Sequence, residues 1–333
     1  MPNTYLGLPF DAELFMRQWN AEPDPVLTAL LNSGAVAEDA LVASRLTNEG
    51  SDLYTVPFYN TLGGTPVNYD GQTDIPSDLV TGDYMTGVAF GRAKAWTDLD
   101  FQSDISGNDP MQHIVGTVAR YWAKQRQNTL LKILSGVFSI KDDANWGKHI
   151  IDTGDVMGPT TVNNAATDAL GDNKSVLTLA FMHSNVAREL ENIEILEYWK
   201  YTDANGVQRN TNLASANGMT VVVDDNMPHT GDKYTTFLLG SGFIRHAPAR
   251  LKVPVEPWRD PKTAGGQELL YTRKRETFHP NGFSFIVPKK DYTHSPTDAQ
   301  LASPDNWARG FDAKAIPAVA VVTTSTSAKA PVL

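Results

Sequence analysis

The stretch from Gly107 to Ser139, GNDPMQHIVGTVARYWAKQRQNTLLKILSGVFS, reads as one long helix that carries its own start signal. Asp109 can cap it, Pro110 suits the first turn where a missing N–H costs nothing, and Gln112 stands where a capping box takes Glu or Gln. About thirty residues at a rise of about 1.5 Å make a rod of roughly 45 Å. A rod of that length crosses a whole domain, so the chain must fold around it, with the remaining parts attached along its sides. We place the helix at about residues 109–138.

The 333 residues suffice for about two domains with real cores. With 41% hydrophobic and 20% charged residues, the composition is that of an ordinary globular chain. The absence of cysteine excludes disulfides, thiolate metal sites and cysteine nucleophiles together. No apolar run approaches the length of a membrane span, and MPNTYLGLPFDAELF lacks the basic start and apolar core of a signal peptide, so no membrane partner is expected. The net charge of −10 argues against nucleic-acid binding as the main activity, because affinity for phosphate backbones comes from clustered Lys and Arg. Local basic groups remain at Arg120, Lys124, Arg126 and Lys132 on the long helix and at Arg273, Lys274 and Arg275. They read as solvated faces or as ion pairs between subunits.

Four regions follow from the patterning. In residues 1–50, short apolar bursts (Phe10, Leu14, Phe15, Trp19) alternate with prolines, and a short helix is expected over Val26 to Asn32. Such pieces suit an arm lying against something larger. From Gly50 to Asp100 the period changes to two: Tyr54, Val56 and Phe58 share a face of one strand, and Tyr84, Val88, Phe90 and Trp96 a face of a second. On the second strand's other face, Gly87, Ala89, Gly91, Ala93 and Ala95 leave room for a close neighbour. We read this as a long two-stranded ribbon with a polar tip, Gly63 to Gly82. A lone ribbon is marginal in water and needs a surface to lean on. Residues 141–173 are largely polar. Beyond them, Val176 to Met182, Met219 to Val223 and Tyr234 to Leu239 read as strands, and Ser184 as the cap of a helix over Asn185 to about Lys200. This block is the candidate second domain. Glu268 to Thr277 and Phe283 to Val287 read as a hairpin closed by His279-Pro280-Asn281-Gly282, and Ile316 to Thr323 as a last strand.

The search for chemistry finds no P-loop, no G-x-G-x-x-G between strand and helix, no H-E-x-x-H, no G-x-S-x-G and no EF-hand spacing. The seven histidines include no i, i+4 pair. The one grouping that suggests hydrolysis is His183, Ser184 and Asp224-Asp225, and a helix cap followed by a strand-end loop explains it more simply. No enzyme activity, catalytic residue, metal or cofactor is expected. Aromatics on a ribbon without a core, Phe58, Tyr59 and Tyr69, read as interface anchors.

The motifs DAELF at Asp11, GNDPMQ and RYWAKQ in the long helix, FMHS at Phe181, VVVDDNMP at Val221, FLLGSGF at Phe237, HPNGFSF at His279 and SPTDAQLASPDNWARGFDAKAI from Ser295 span nearly the whole chain. In this order the sequence resembles the tailed-phage major capsid (coat) proteins of the Hong Kong 97 fold, closest to those of siphophages of Gram-positive hosts. The resemblance implies an α+β fold with an N-terminal arm (residues 1–50), an E-loop (51–100), a peripheral domain with the spine helix (101–174), an axial domain (175–257) and a return to the peripheral domain with a C-terminal strand and tail (258–333).

The function implied is a shell subunit that assembles with itself as hexamers and pentamers into an icosahedral head, located in the virion and made in the bacterial host cytoplasm. The implied partners are a scaffolding protein, a portal protein at one vertex and a decoration protein. The enclosed double-stranded DNA would be held without specific binding, by an acidic inner wall that repels phosphates at short range. Expected intersubunit contacts are Phe10, Phe15, Trp19, Phe58, Tyr59, Tyr69, Arg92 and Lys94. Some relatives join an E-loop lysine covalently to a neighbour. Here Lys94 is the only lysine of that segment and sits near its base, so no cross-link is expected. Because the arm begins almost at Met1, the scaffold is expected to be a separate protein. The competing readings are an encapsulin-like compartment shell with the same fold and, from another class, a hydrolase using His183, Ser184 and Asp224.

Overall fold

A computed structural model of the chain describes residues 4–5, 8–9, 34–48, 52–59, 62, 64–72, 74–77, 79–99, 111–202, 208–263 and 266–325. In chain order, β1 (Thr4–Tyr5) pairs with β2 (Leu8–Pro9), and β3 (Val36–Glu38) leads into α1 (Ala40–Asn48). Asp39 caps α1, its Oδ1 accepting from Leu41 N–H at 3.0 Å and Val42 N–H at 3.1 Å. Next come β4 (Leu53–Tyr59), β5 (Gly82–Val88), β6 (Phe90–Leu99) and the long helix α2 (Met111–Val137). After α2 follow β7 (Ile150–Val156), α3 (Thr161–Leu170), β8 (Leu177–Met182), α4 (Ser184–Asn192), β9 (Glu197–Thr202), β10 (Gln208–Ala216), β11 (Met219–Val223), β12 (His229–Thr230) and β13 (Lys233–Gly240). The chain closes with β14 (Ile244–Pro248), β15 (Val255–Asp260), β16 (Gln267–Pro280), β17 (Phe283–Phe285), α5 (Asp298–Ala302), β18 (Trp307–Arg309) and β19 (Ala318–Thr324).

The helix α2 runs for 27 residues, close to the expected span, while Asp109 and Pro110 lie outside the described residues. Ala119, Trp122, Leu130, Ile133, Leu134 and Val137 recur at helical spacing and are all buried. At the C-terminal end the Trp146 indole donates to the Val137 carbonyl at 2.9 Å, satisfying one of the acceptors that a helix end leaves open. Midway, Trp122 Nε1 donates to Thr272 Oγ1 at 3.0 Å, and Arg126 Nε reaches Glu276 at 3.1 and 3.3 Å. His246 Nε2 lies 3.2 Å from the same carboxylate. Burial pushes the Glu276 pKa up, but the His246 hydrogen bond and the Arg126 charge outweigh it and hold the carboxyl below its usual value.

Two sheets flank this helix. The larger has the order β7-β19-β13-β8-β11-β10-β9, with β12 beside β13; β7–β19 and β8–β11 are parallel pairs. Its central strands are buried on both faces and so read as continuous apolar runs. Leu179, Phe181, Phe237, Leu239, Ala318 and Ala320 face the core around α2. Their neighbours Ala180, Met182, Leu238, Val319 and Val321 face a second core under α3 and α4. In the first core Phe138 stacks between Trp146 (5.3 Å) and Phe237 (5.2 Å). The smaller sheet has the order β15-β16-β14-β3, with β6 also on β16. The larger sheet therefore draws β7 and β19 from outside residues 175–257, while β14 and the start of β15, from inside that segment, join the smaller one.

Several sequence expectations need correction. The two strands of residues 50–100 pair only over seven residues, Leu53–Tyr59 with Gly82–Val88. At Ala89, whose N–H donates to the Asp52 carbonyl at 2.8 Å, the chain changes partner, and β6 pairs with β16 instead. The segment around His279 is no hairpin. β16 continues through Pro280, and Gly282, at φ +92, turns β17 away to pair with β18. The Asn281 and Gly282 backbone groups are already committed, Asn281 N–H to the Phe243 carbonyl (2.6 Å) and the Gly282 carbonyl to Gly310 N–H (2.7 Å). Ser184 does not cap α4; the cap is His183, whose Nδ1 accepts from Asn185 N–H at 3.0 Å. That helix ends at Asn192, and residues expected to extend it form β9. The short helix expected at Val26 to Asn32 lies outside the described residues.

Candidate subunit interface

The β4–β5 ribbon has a fixed root and a bare tip. At the root, Tyr54 is buried and the hydroxyl end of its ring lies against Gly87, where a Cβ would come within 2.2 Å of Tyr54 Cζ. Thr277 Oγ1 donates to the Val88 carbonyl at 2.8 Å and takes the Tyr54 hydroxyl at 3.1 Å. Met85 is buried, with its Sδ 3.2 Å from Gly282 N–H. Asp52 accepts from the Tyr292 hydroxyl at 2.9 Å and lies 3.1 Å from His294 Nδ1. Burial raises the Asp52 pKa, but these two hydrogen bonds prevail and keep the carboxyl below its ordinary value. The root is thus held by β16, by β17 and by the segment that precedes α5.

Beyond the root the packing stops. Every described residue from 62 to 84 is exposed, and the side chains include Leu62, Ile75, Leu79, Val80 and Tyr84. Tyr59 is 83% exposed and Tyr69 89%. Burying such a side chain gains about 1.5–3 kcal/mol, a gain that the described residues of this segment do not take within their own chain.

The remaining expected contacts divide. Phe58 is half-buried and meets Phe311 of its own chain edge-on at 4.7 Å. Arg92 is engaged too, its Nη2 2.6 Å from Asp298 Oδ1 and its guanidinium 5.3 Å above the Phe90 ring. Lys94 is exposed on β6, near the base of the segment. Phe10, Phe15 and Trp19 lie outside the described residues. Tyr59, Tyr69 and Lys94 thus remain open to a neighbour, while Phe58 and Arg92 serve the fold of their own chain. Sequence reasoning missed Leu62, Ile75, Leu79 and Val80, whose signal was apolar side chains in a proline-bearing stretch with nothing local to cover them.

The His183 group is not arranged for hydrolysis. Ser184 Oγ lies 3.5 Å from His183 Nδ1, but that nitrogen already accepts the helix N–H. Asp224 accepts from Asn226 N–H at 2.9 Å and from the Gln127 side chain, tying the loop to α2. Asp225 approaches His183 Nε2 only to 4.0 Å. Among the described residues no helix is long and apolar enough to cross a membrane.

No family model matches the chain. It is 31% identical over 296 residues to the major capsid protein of Bacillus phage SPP1, covering 87% of this chain and 89% of that protein. Among solved structures, it resembles the capsid of Ralstonia phage GP4 with a TM-score of 0.56 at 10% identity, over 90% of this chain and 88% of that one. It also resembles the capsid asymmetric unit of cyanophage Pam1, with a TM-score of 0.52 at 13% identity, over 83% and 85% of the two chains. At those identities the structures speak for a shared fold.

Proposed function

The chain belongs to the phage major capsid proteins of the Hong Kong 97 fold, and on that premise we propose that it closes, as hexamers and pentamers, an icosahedral head around packaged double-stranded DNA. The observation that carries this reading is the ribbon, held at its root by three parts of the fold and exposed at every described residue from 62 to 84. A segment that exposes apolar side chains along a polar tip and has no core of its own gains stability by lying across another subunit.

In this reading residues 1–50 are the N-terminal arm and 51–100 the E-loop. The eight-stranded sheet with α3 and α4 is the axial domain, now including β7 and β19. The spine helix α2 with the smaller sheet is the peripheral domain. A scaffolding protein directs assembly, a portal protein occupies one vertex, and a decoration protein can bind outside. DNA is enclosed without sequence-specific contact, and synthesis takes place in the host cytoplasm. We infer no enzymatic role, since the His183 group has no free base beside its hydroxyl.

The test is electron microscopy of the full chain produced with and without a scaffolding partner. Closed shells in the presence of the scaffold are expected, running as single subunits on a denaturing gel. A small particle of fixed stoichiometry under both conditions overturns the proposal.

A further inference from the structure

Between residues 116 and 137 of α2, the exposed side chains are Thr117, Arg120, Lys124 and Lys132, so three of the four are cations. At about 100° per residue, these four and half-buried Asn128 fall in one stripe about 120° wide. From Arg120 to Lys132 it runs about 18 Å along the helix. The whole of α2 contains no Asp or Glu, in a chain of net charge −10. The helix's other cation, Arg126, is turned inward to Glu276. Arg120 spends its Nε on the Gly116 carbonyl of its own helix at 3.1 Å, and no ion pair holds Lys124 or Lys132 among the described residues.

No large apolar side chain is exposed on this part of α2. Protein partners dock on desolvated aromatic and aliphatic anchors, which the stripe does not offer. Cations aligned on one stripe without such anchors match a partner made of repeating negative charge. Each strand of duplex DNA carries a phosphate about every 3.4 Å, or about five along the stripe. Two acids stand beside its Lys132 end, in a groove of about 440 Å³ shared with Gln125 and Asn128. Of these, Asp298 is neutralised by Arg92, and Asp225 remains to weaken contact at that end.

We propose that this cationic stripe, in place of the acidic wall expected from the sequence, is the side of the subunit that meets packaged double-stranded DNA, touching phosphates without reading bases. The inference rests on the shell reading above and assigns the DNA-facing side within it. Contact by each subunit is weak, and a shell sums it over many copies. Three phosphate contacts imply a slope of about −2.7 in a plot of log affinity against log salt.

The experiment follows binding of the full chain to a labelled duplex of arbitrary sequence, from about 50 mM salt upward. One variant combines Arg120→Gln, Lys124→Gln and Lys132→Gln. A second combines Lys141→Gln, Lys289→Gln and Lys290→Gln, which removes the same charge from exposed positions elsewhere. The expected result is a wild-type slope near −3, a loss of affinity of at least tenfold in the stripe variant, and less than twofold in the other. Equal losses in both variants, no binding by wild type, or tighter binding of polyglutamate than of DNA each overturn the inference. Shells are imaged in parallel with a scaffold. Wild-type shells without DNA binding sink this inference alone, whereas no shells sink the shell reading and this inference with it.

Discussion

His279 lies 1% exposed on β16, its ring edge-on to Tyr54 at 6.0 Å, where the ribbon root meets the smaller sheet. Burial, reinforced by the nearby Arg245 charge, pushes its pKa down to about 4. In the unfolded chain an imidazole titrates near about 6.5. Between these values the unfolded chain takes up a proton that the fold refuses, so the stability held above the unfolded pKa is lost as pH falls through the window. The loss from this one group amounts to about 3 kcal/mol once both states are fully protonated. His149, whose pKa is also lowered chiefly by burial, adds a loss of the same sign, so wild type must be compared with a variant. Denaturant unfolding of wild type and His279→Gln between pH 7 and pH 4 should show a smaller loss in the variant, by about 2–3 kcal/mol. Identical losses would show that this imidazole does not set the acid limit.

The contact between α2 and α5 turns on Gly136. A Cβ there would stand 2.4 Å from the Leu301 carbonyl oxygen and 3.0 Å from Trp307 Nε1, which itself donates to that carbonyl at 2.8 Å. Alanine is the better helix former by about 1 kcal/mol, but the atom in the way is backbone, and overpacking costs about 1–3 kcal/mol. Gly136→Ala is therefore expected to destabilise the chain by up to about 2 kcal/mol, read from its unfolding midpoint; a gain in stability would mean that α5 moves aside freely. The same contrast between local and distant forces decides what could be read from the residues alone. The long helix and the apolar strands β8, β11, β13 and β19 were legible because periodicity and continuous burial are written locally. The strand exchange at Ala89 was not, because β6 finds β16 far along the chain and nothing in its alternation names that partner. The end of α4 was also hidden: the break falls at Glu194, with φ +58, inside Ile-Glu-Ile-Leu, where no glycine or proline marks it. His183 was overlooked as a cap because a ring nitrogen does the work usually done by Ser, Thr, Asp or Asn. In the candidate interface, the exposure of Tyr59 and Tyr69 was legible, because nothing local could cover them. The intrachain partners of Phe58 and Arg92 were not legible, since Phe311 and Asp298 reach them only in the folded chain.

For the whole molecule, the division between root and tip means that folding and assembly can be separated. The contacts that hold the ribbon lie at Asp52, Tyr54, Met85 and Gly87, and none of them involves residues 60–81. Tyr59 and Gly82 face each other in register at the last pair of the ribbon. A two-residue Asn-Gly loop between them, in place of residues 60–81, would close a type I′ hairpin that fits the twist of the strands. The shortened chain should keep its cores, since the removed described side chains are all exposed. It should also lose the exposed Leu62, Tyr69, Ile75, Leu79 and Val80, and with them the apolar surface available to a neighbour. The expected outcome is a melting temperature within about 4 °C of wild type, equivalent to less than about 3 kcal/mol for a chain of this size, together with the absence of closed shells by electron microscopy. Normal shells from the shortened chain would move the decisive contact away from the ribbon tip. A collapse of the melting temperature would show instead that the tip belongs to the subunit's own fold.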